Sequence, residues 1–351
     1  MSRFHRFSKR DYFIFIIIGF LGIGLIGSNF VIDRYIGKCN IKISPYYRSF
    51  EKPRSAEEAS VQVTHLWSRE ISMSESENSM VISDDKLIVA DSGCNDVVAF
   101  DLTNGDIVWK QVNPSSPDSI LLSKDGEVIY VSRTHYNNEV VAFNVENGDE
   151  IWKTSEFSGQ RIQLEIKGFL PNNAILVHSN TDGFLPLDAQ KGTIDDEILL
   201  PDETVQFDGH IFWQVVRNEL EAFDFESNQK LWGYPHSNIS SSRDIQLIER
   251  HLFLNNESKL SVLDAMTGSV LWNLEDYKIV SNVTIENGVV YVMDNQAQLL
   301  MLNLENGLVI GTVDFANRAL INQSWLALAD GIIAIYYKDD GLVSVWEVAT
   351  P

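Results

Sequence analysis

Two cysteines, seven histidines and the acidic doublets Asp84-Asp85 and Asp339-Asp340 are the residues of this 351-residue chain with the best claim to chemistry. Two cysteines alone do not complete a metal cluster. Cys39 falls in a linker and Cys94 in an expected turn, and both read as unpaired, buried or incidental. A disulfide between them stays open for a body held outside the cytoplasm. His135, His178, His210, His236 and His251 show no metal-ligand spacing and read as strand or surface residues. Asp84-Asp85 and Asp339-Asp340 stand before strands, where carboxylates accept turn N–H groups. No Gly-x-Ser-x-Gly elbow and no His-Glu-x-x-His pair occurs. Triplets beginning at Asn238, Asn256, Asn282 and Asn322 match the glycosylation sequon, which matters only in a eukaryotic secretory host. The expectation is a chain with no catalytic residue, no metal ligand and no cofactor.

Charge divides the chain. Residues 1–54 carry ten Lys/Arg against three Asp/Glu, net +7, and the remainder carries 17 against 46, net −29. So acidic a body repels phosphate backbones, which excludes nucleic acid as the expected partner. Residues 12–30 form an uncharged apolar run of 19 residues, which as a helix spans about 28 Å, close to the hydrocarbon thickness of a bilayer. The run is too long for a cleaved signal core, and Lys38 before Cys39 argues against a lipoprotein site. The reading is a basic tail over 1–11, a signal-anchor helix over 12–30 and a linker over 31–64. Arg3, Arg6, Lys9 and Arg10 place the N-terminus in the cytoplasm and the body on the far side of the cell membrane.

The rest of the chain repeats. VVAFDLTNGDIVWK at 97–110 returns as VVAFNVENGDEIWK at 140–153, LEAFDFESNQKLWG at 220–233 and LSVLDAMTGSVLWN at 260–273. The frame is apolar-x-apolar-acid or amide, four residues to Gly, then four to Trp. Degenerate copies put Asp196 and Gly311 at the Trp position, and Asn228 at the Gly position. Each frame predicts a hairpin: a strand, a tight turn and an outgoing strand that ends in Trp. Intervening segments such as SILLS (119–123) and EVIYVS (127–132) supply two more strands per unit. The acid positions 101, 144, 188, 224, 264, 303 and 347 recur every 36 to 44 residues. Four-stranded units of that period are propeller blades. The expectation is an all-β, seven-bladed propeller over 65–351, with eight blades as runner-up. The last blade lacks its outer strand, and the segment around Trp67 is expected to supply it and close the ring.

The Ala-x-Asp-x-x-x-Gly-x-x-x-Trp frame resembles the repeat of the PQQ-like propellers, a family that includes quinoprotein dehydrogenases and outer-membrane assembly propellers. The resemblance implies that Trp67, Trp109, Trp152, Trp232 and Trp272, with Gly105, Gly148 and Gly268, dock one blade against the next. The quinoprotein enzymes it also implies use adjacent cysteines, a calcium site and a catalytic Asp. This chain has neither a Cys-Cys pair nor a Cys-x-x-Cys-His.

The expected function is therefore a membrane-tethered, non-enzymatic scaffold for a protein, peptide or glycan. The alternatives are a quinone- or metal-dependent oxidoreductase, or a sensor or transport accessory subunit. The candidate binding loops follow the outer strands at 113–118, 155–161 and 235–243, and carry Arg161, His236 and Arg243.

Overall fold

The computed structural model describes residues 61–73, 79–112, 115–134, 138–154, 163–180, 183–194, 204–235, 244–256, 259–315 and 322–348. The expected tail, membrane span and linker up to residue 60 lie outside them. Among the described residues no helix is long and apolar enough to cross a membrane.

Strand β1 (Val63–Glu70) comes first in sequence and last in the ring. Blade 1 follows with β2 (Met80–Ser83), β3 (Lys86–Asp91), β4 (Asp96–Asp101) and β5 (Ile107–Val112). Blade 2 holds β6 (Ser116–Leu122), β7 (Val128–Thr134), β8 (Glu139–Asn144) and β9 (Glu150–Lys153). Blade 3 holds β10 (Leu164–Phe169), β11 (Ile175–Ser179) and β12 (Gly183–Leu187). Blade 4 holds β13 (Thr204–Phe207), β14 (Ile211–Val216), β15 (Glu219–Asp224) and β16 (Lys230–Pro235). Blade 5 holds β17 (Ile245–Ile248), β18 (His251–Asn256), β19 (Lys259–Asp264) and β20 (Val270–Glu275). Blade 6 holds β21 (Thr284–Glu286), β22 (Val289–Met293), β23 (Gln298–Asn303) and β24 (Val309–Asp314). Blade 7 holds β25 (Ser324–Ala329), β26 (Ile332–Tyr337) and β27 (Leu342–Val348), and β1 completes it as the fourth strand.

The fold is a seven-bladed β-propeller, not the eight-bladed runner-up. Its closure is an antiparallel pairing of β1 with β27, in which Val63 lies opposite Val348 and Trp67 opposite Val345. The strand thus begins two residues before the expected propeller start at 65, because Val63 and Thr64 already find partners in Val348 and Glu347. Blade 3 has three described strands. A single Leu187–Ile194 bridge marks where a fourth would start.

In blade 1 the second and third strands are not half-buried, as strict alternation would make them, whereas β15 of blade 4 keeps the alternation. All six residues of β3 are buried, and so are Val97, Val98, Ala99 and Phe100 in β4. Each blade presses both faces against its neighbours, so these strands carry apolar residues on both sides. The Asx turn explains the acid or amide that closes the third strand. Asp101 Oδ1 accepts the N–H groups of Thr103 at 2.8 Å and Asn104 at 3.2 Å, while Gly105 N–H donates to the Asp101 carbonyl at 2.8 Å. Asn144 and Asn303 accept the same pair of N–H groups through Oδ1, so Asp and Asn serve equally.

Candidate functional site

The seams come first, because they absorb most of the conspicuous side chains. In five of the seven seams the indole of one blade's Trp lies on the turn of the next blade. Trp67 Nε1 donates to the Leu102 carbonyl at 2.8 Å, and Trp109 Nε1 to the Val145 carbonyl at 2.8 Å. Trp152, Trp232 and Trp272 donate in the same way to Ala189, Ala265 and Leu304. Beneath the rings sit Gly105, Gly148, Gly192, Gly268 and Gly307. At Gly148, φ is +73° and a Cβ would stand 2.7 Å from Trp109 Cδ2, so glycine serves both the left-handed turn and the close approach of the ring.

Polar groups reinforce the same seams. Lys86, nearly fully buried, reaches Asp85 at 2.6 Å within its own blade and Glu146 at 2.7 Å in the next. Burial works against its charge, but these two carboxylates outweigh it and raise its pKa above the usual lysine value. Two seams lack the indole. Where blade 3 meets blade 4, Leu170, Leu176, Phe184, Phe207 and Phe212 pack together, with Phe223 stacked on Phe212 at 5.2 Å. In blade 6, Gly311 takes the Trp position and the Val61 side chain rests on it.

A second belt of contacts went unread in the sequence. Gln206 Nε2 donates to the Ile245 carbonyl at 3.2 Å. Gln246 clasps Val283 through both ends of its amide, at 3.0 and 2.8 Å. Asn282 clasps Leu326 likewise, at 3.0 and 2.7 Å. These amides link the innermost strand of one blade, or the residues leading into it, to the next blade. The signal was available: Gln206 and Gln246 are one repeat apart, each flanked by apolar residues. The clasp also takes the Asn282 side chain out of play as a sequon.

Arg161, His236 and Arg243, the expected binding-loop residues, lie outside the described residues, as do 113–114, 155–162 and 236–243. The loop expected at 113–118 is corrected at its second half. Ser116–Asp118 belong to β6, and Ser115 and Ser116 are buried, because this stretch already forms the innermost strand of blade 2.

Among the described residues one group has metal-ligand character, Asp91, Cys94 and Asp96 in the β3–β4 turn. Its contacts are those of a turn. Asp91 Oδ1 accepts the Gly93 and Cys94 N–H groups at 3.1 and 3.2 Å. In blade 6, Asp294 does the same for Gln296 and Gln298 at 2.9 and 2.8 Å, with neither a cysteine nor a second carboxylate in that turn. Both aspartates also bridge to the connection leading into their sheets, Asp91 to Met73 and Asp294 to Ile279. Asp96 already has a cation, the Lys110 ammonium at 2.5 Å.

Burial pushes the Asp91 carboxyl above the usual carboxylate range, against the N–H groups that stabilise its anion. A raised folded-state pKa stabilises the protein below the ordinary carboxylate pKa, and that stabilisation is lost as pH rises through the folded value. Asp91→Asn keeps the Oδ1 acceptor and removes the buried charge. The variant is expected to be more stable than the parent at neutral pH, with the gap closing as pH falls toward 4. Thermal melts of both proteins across that range test this, and a gap independent of pH would refute it.

A family model described as outer membrane protein assembly factor BamB matches residues 59–154 and 206–346. No curated protein matches the chain. Among solved structures, the chain is similar to BamB from Moraxella catarrhalis, at 17% identity over 76% of this chain and 84% of that one, with a TM-score of 0.47. It is similar to a chain of the mitotic checkpoint complex at 12% identity, over 89% of this chain and 100% of the other, with a TM-score of 0.60. It is also similar to Raptor from Chaetomium thermophilum at 12% identity, over 83% of this chain and 29% of Raptor, with a TM-score of 0.61. At such identities the likeness to the last two is one of fold alone.

Proposed function

We propose, from the premise that this chain belongs to the PQQ-like propeller family of the outer membrane protein assembly factor BamB, that it is a non-enzymatic binding module for a protein partner. It carries no cofactor in this reading. The apolar run at 12–30 tethers it to the cell membrane, with the basic tail in the cytoplasm and the propeller on the other side. The observation that carries the reading is where the conspicuous side chains are used. Five tryptophans pack their rings into seams, Trp67, Trp109 and Trp272 buried and Trp152 and Trp232 partly so, and spend their N–H groups on the next blade's carbonyls. They are therefore not a stacking platform for a planar cofactor. What differs from blade to blade is the exposed turn and edge surface, and variable surface on a rigid ring suits recognition.

Affinity capture of the full chain from cross-linked intact membranes tests the proposal. A stoichiometric protein partner is the expected result. Its absence, together with a bound chromophore after addition of quinone and calcium and turnover on an alcohol, would favour the oxidoreductase alternative instead. Protease added to intact cells is expected to degrade the propeller but not the tail, and the reverse pattern would overturn the orientation.

A further inference from the structure

We infer that an exposed apolar band formed by Leu231, Met266, Val270, Leu271, Leu308 and Val309 is the docking surface for a cationic amphipathic segment of a partner protein. The inference rests on the binding-module reading and names the surface and the chemistry of its occupant.

The band begins with a bulge that recurs from blade to blade. Between the third and outer strands the register slips at the residue before the Trp position, and that residue is apolar each time: Val108, Ile151, Leu231, Leu271 and Ile310. A bulge re-aims its side chain and twists the edge away from strand pairing. Val108, Ile151, Leu231 and Leu271 stand 44–51% exposed as a result. Core packing gives them no reason to be apolar.

Two turn residues make blades 5 and 6 different from the rest. Met266 occupies the turn position held elsewhere by Thr103, Glu146, Gln190, Glu226 and Glu305. Leu308 occupies the one held elsewhere by Asp106, Asp149, Thr193, Gln229 and Ser269. Both replace polar residues with apolar ones, and both are exposed, at 51% and 64%. The seams make the band continuous. Leu231 precedes Trp232, whose ring lies on Gly268 in the turn that carries Met266. Leu271 precedes Trp272, whose ring lies on Gly307 beside Leu308. Six exposed apolar side chains on one edge exceed the scattered exposure that needs no explanation.

Charge selects the occupant. Asp264 and Glu305 stand in the turns that carry Met266 and Leu308, and Asp224 and Glu226 in the turn that leads to Leu231. The nearby cations are engaged: Lys230 with Glu219 and Glu221, and Arg250 with Asp264. An anionic lipid surface or a second copy of this acidic body would meet like charge. A segment with lysine or arginine between apolar residues satisfies both features of the surface.

The test uses the full chain in discs of neutral lipid, with empty discs as baseline, and a synthetic peptide of alternating lysine and leucine. The probe is expected to bind, and its glutamate–leucine counterpart is not. Met266→Thr with Leu308→Ser returns both positions to residues the repeat carries elsewhere, so the fold is retained, and the pair is expected to weaken binding at least about tenfold. Val108→Thr, on blade 1, is expected to leave binding unchanged. Failure of the lysine–leucine peptide to bind, or equal binding by the double variant, overturns the inference. If the double variant also still captures its membrane partner, this surface is wrong while the binding-module reading stands. Loss of capture in the parent protein would instead bring down that reading.

Discussion

A chain that starts at Ser72, and so lacks β1, is expected not to fold cooperatively, whereas a chain that starts at Val61 is expected to do so. The strand completes blade 7 and at the same time forms the seam with blade 1. It pairs with β27 from Val63 to Glu70. Its Trp67 ring covers Gly105, Trp67 Nε1 donates to the Leu102 carbonyl at 2.8 Å, and Arg69 Nε donates to the Gly105 carbonyl at 3.1 Å. Ile71 N–H, just past the strand, donates to the Gly341 carbonyl at 2.8 Å. Replacing Trp67 alone with alanine is expected to cost about 3–5 kcal/mol, the usual range for emptying a buried aromatic site. A domain has only about 5–15 kcal/mol of net stability, so losing the whole strand exceeds what one blade can spare. The truncation also leaves β27 as a long unpaired edge next to a gap in the ring, which invites edge-to-edge aggregation. Urea unfolding and size-exclusion chromatography of the two truncations and of Trp67→Ala test this. A Ser72 start that unfolds in one transition at the parental midpoint would show that the ring is closed by something other than β1.

The repeat made the ring readable from the sequence because one frame does three jobs at fixed spacing. Asp101 caps the turn, Gly105 permits it, and Trp109 reaches the next blade, so the period of the frame is the period of the blades. The closing strand was readable because a Trp-bearing segment at residue 67 stood without a frame while the last frame stood without an outer strand. The amide clasps were harder to see. Gln206 and Gln246 are single polar residues in short inner strands and Asn282 stands just before one, and their meaning depends on a backbone about forty residues away, in the next blade. The phenylalanine-filled seam between blades 3 and 4 was hidden for a related reason. Phe207 and Phe212 look like ordinary strand residues until the missing indole at position 196 is set beside them. The apolar band depends on a bulge: residues 231 and 271 lie in the outgoing strand, and a register slip that the sequence pattern does not show turns them outward.

The pairing of glycine with tryptophan across a seam predicts an asymmetry between two chemically opposite substitutions. Asn228 is the one turn residue that breaks the frame's glycine among the four copies that keep their own Trp, and the blade before it carries Asp196 where the indole would be. It is exposed, and its φ of +53° is one that asparagine tolerates. With no ring overhead, only the backbone angle needs to be met. Asn228→Gly is therefore expected to change stability by no more than about 0.5–1 kcal/mol, mainly through the looser unfolded chain. Gly148→Asn meets the same backbone requirement but drives its Cβ into the Trp109 ring, since a Cβ there would stand 2.7 Å from Cδ2. Displacing that ring strains a packed seam and threatens the bond from Trp109 Nε1 to the Val145 carbonyl, for an expected loss of about 2–3 kcal/mol. The cause is distinguishable from backbone strain by a double-mutant cycle. In a Trp109→Ala background the asparagine has room, and Gly148→Asn should then cost less than about 1 kcal/mol. Additive losses in the cycle, measured by urea denaturation, would mean that the glycine serves the turn alone and that the ring above it does not constrain the site.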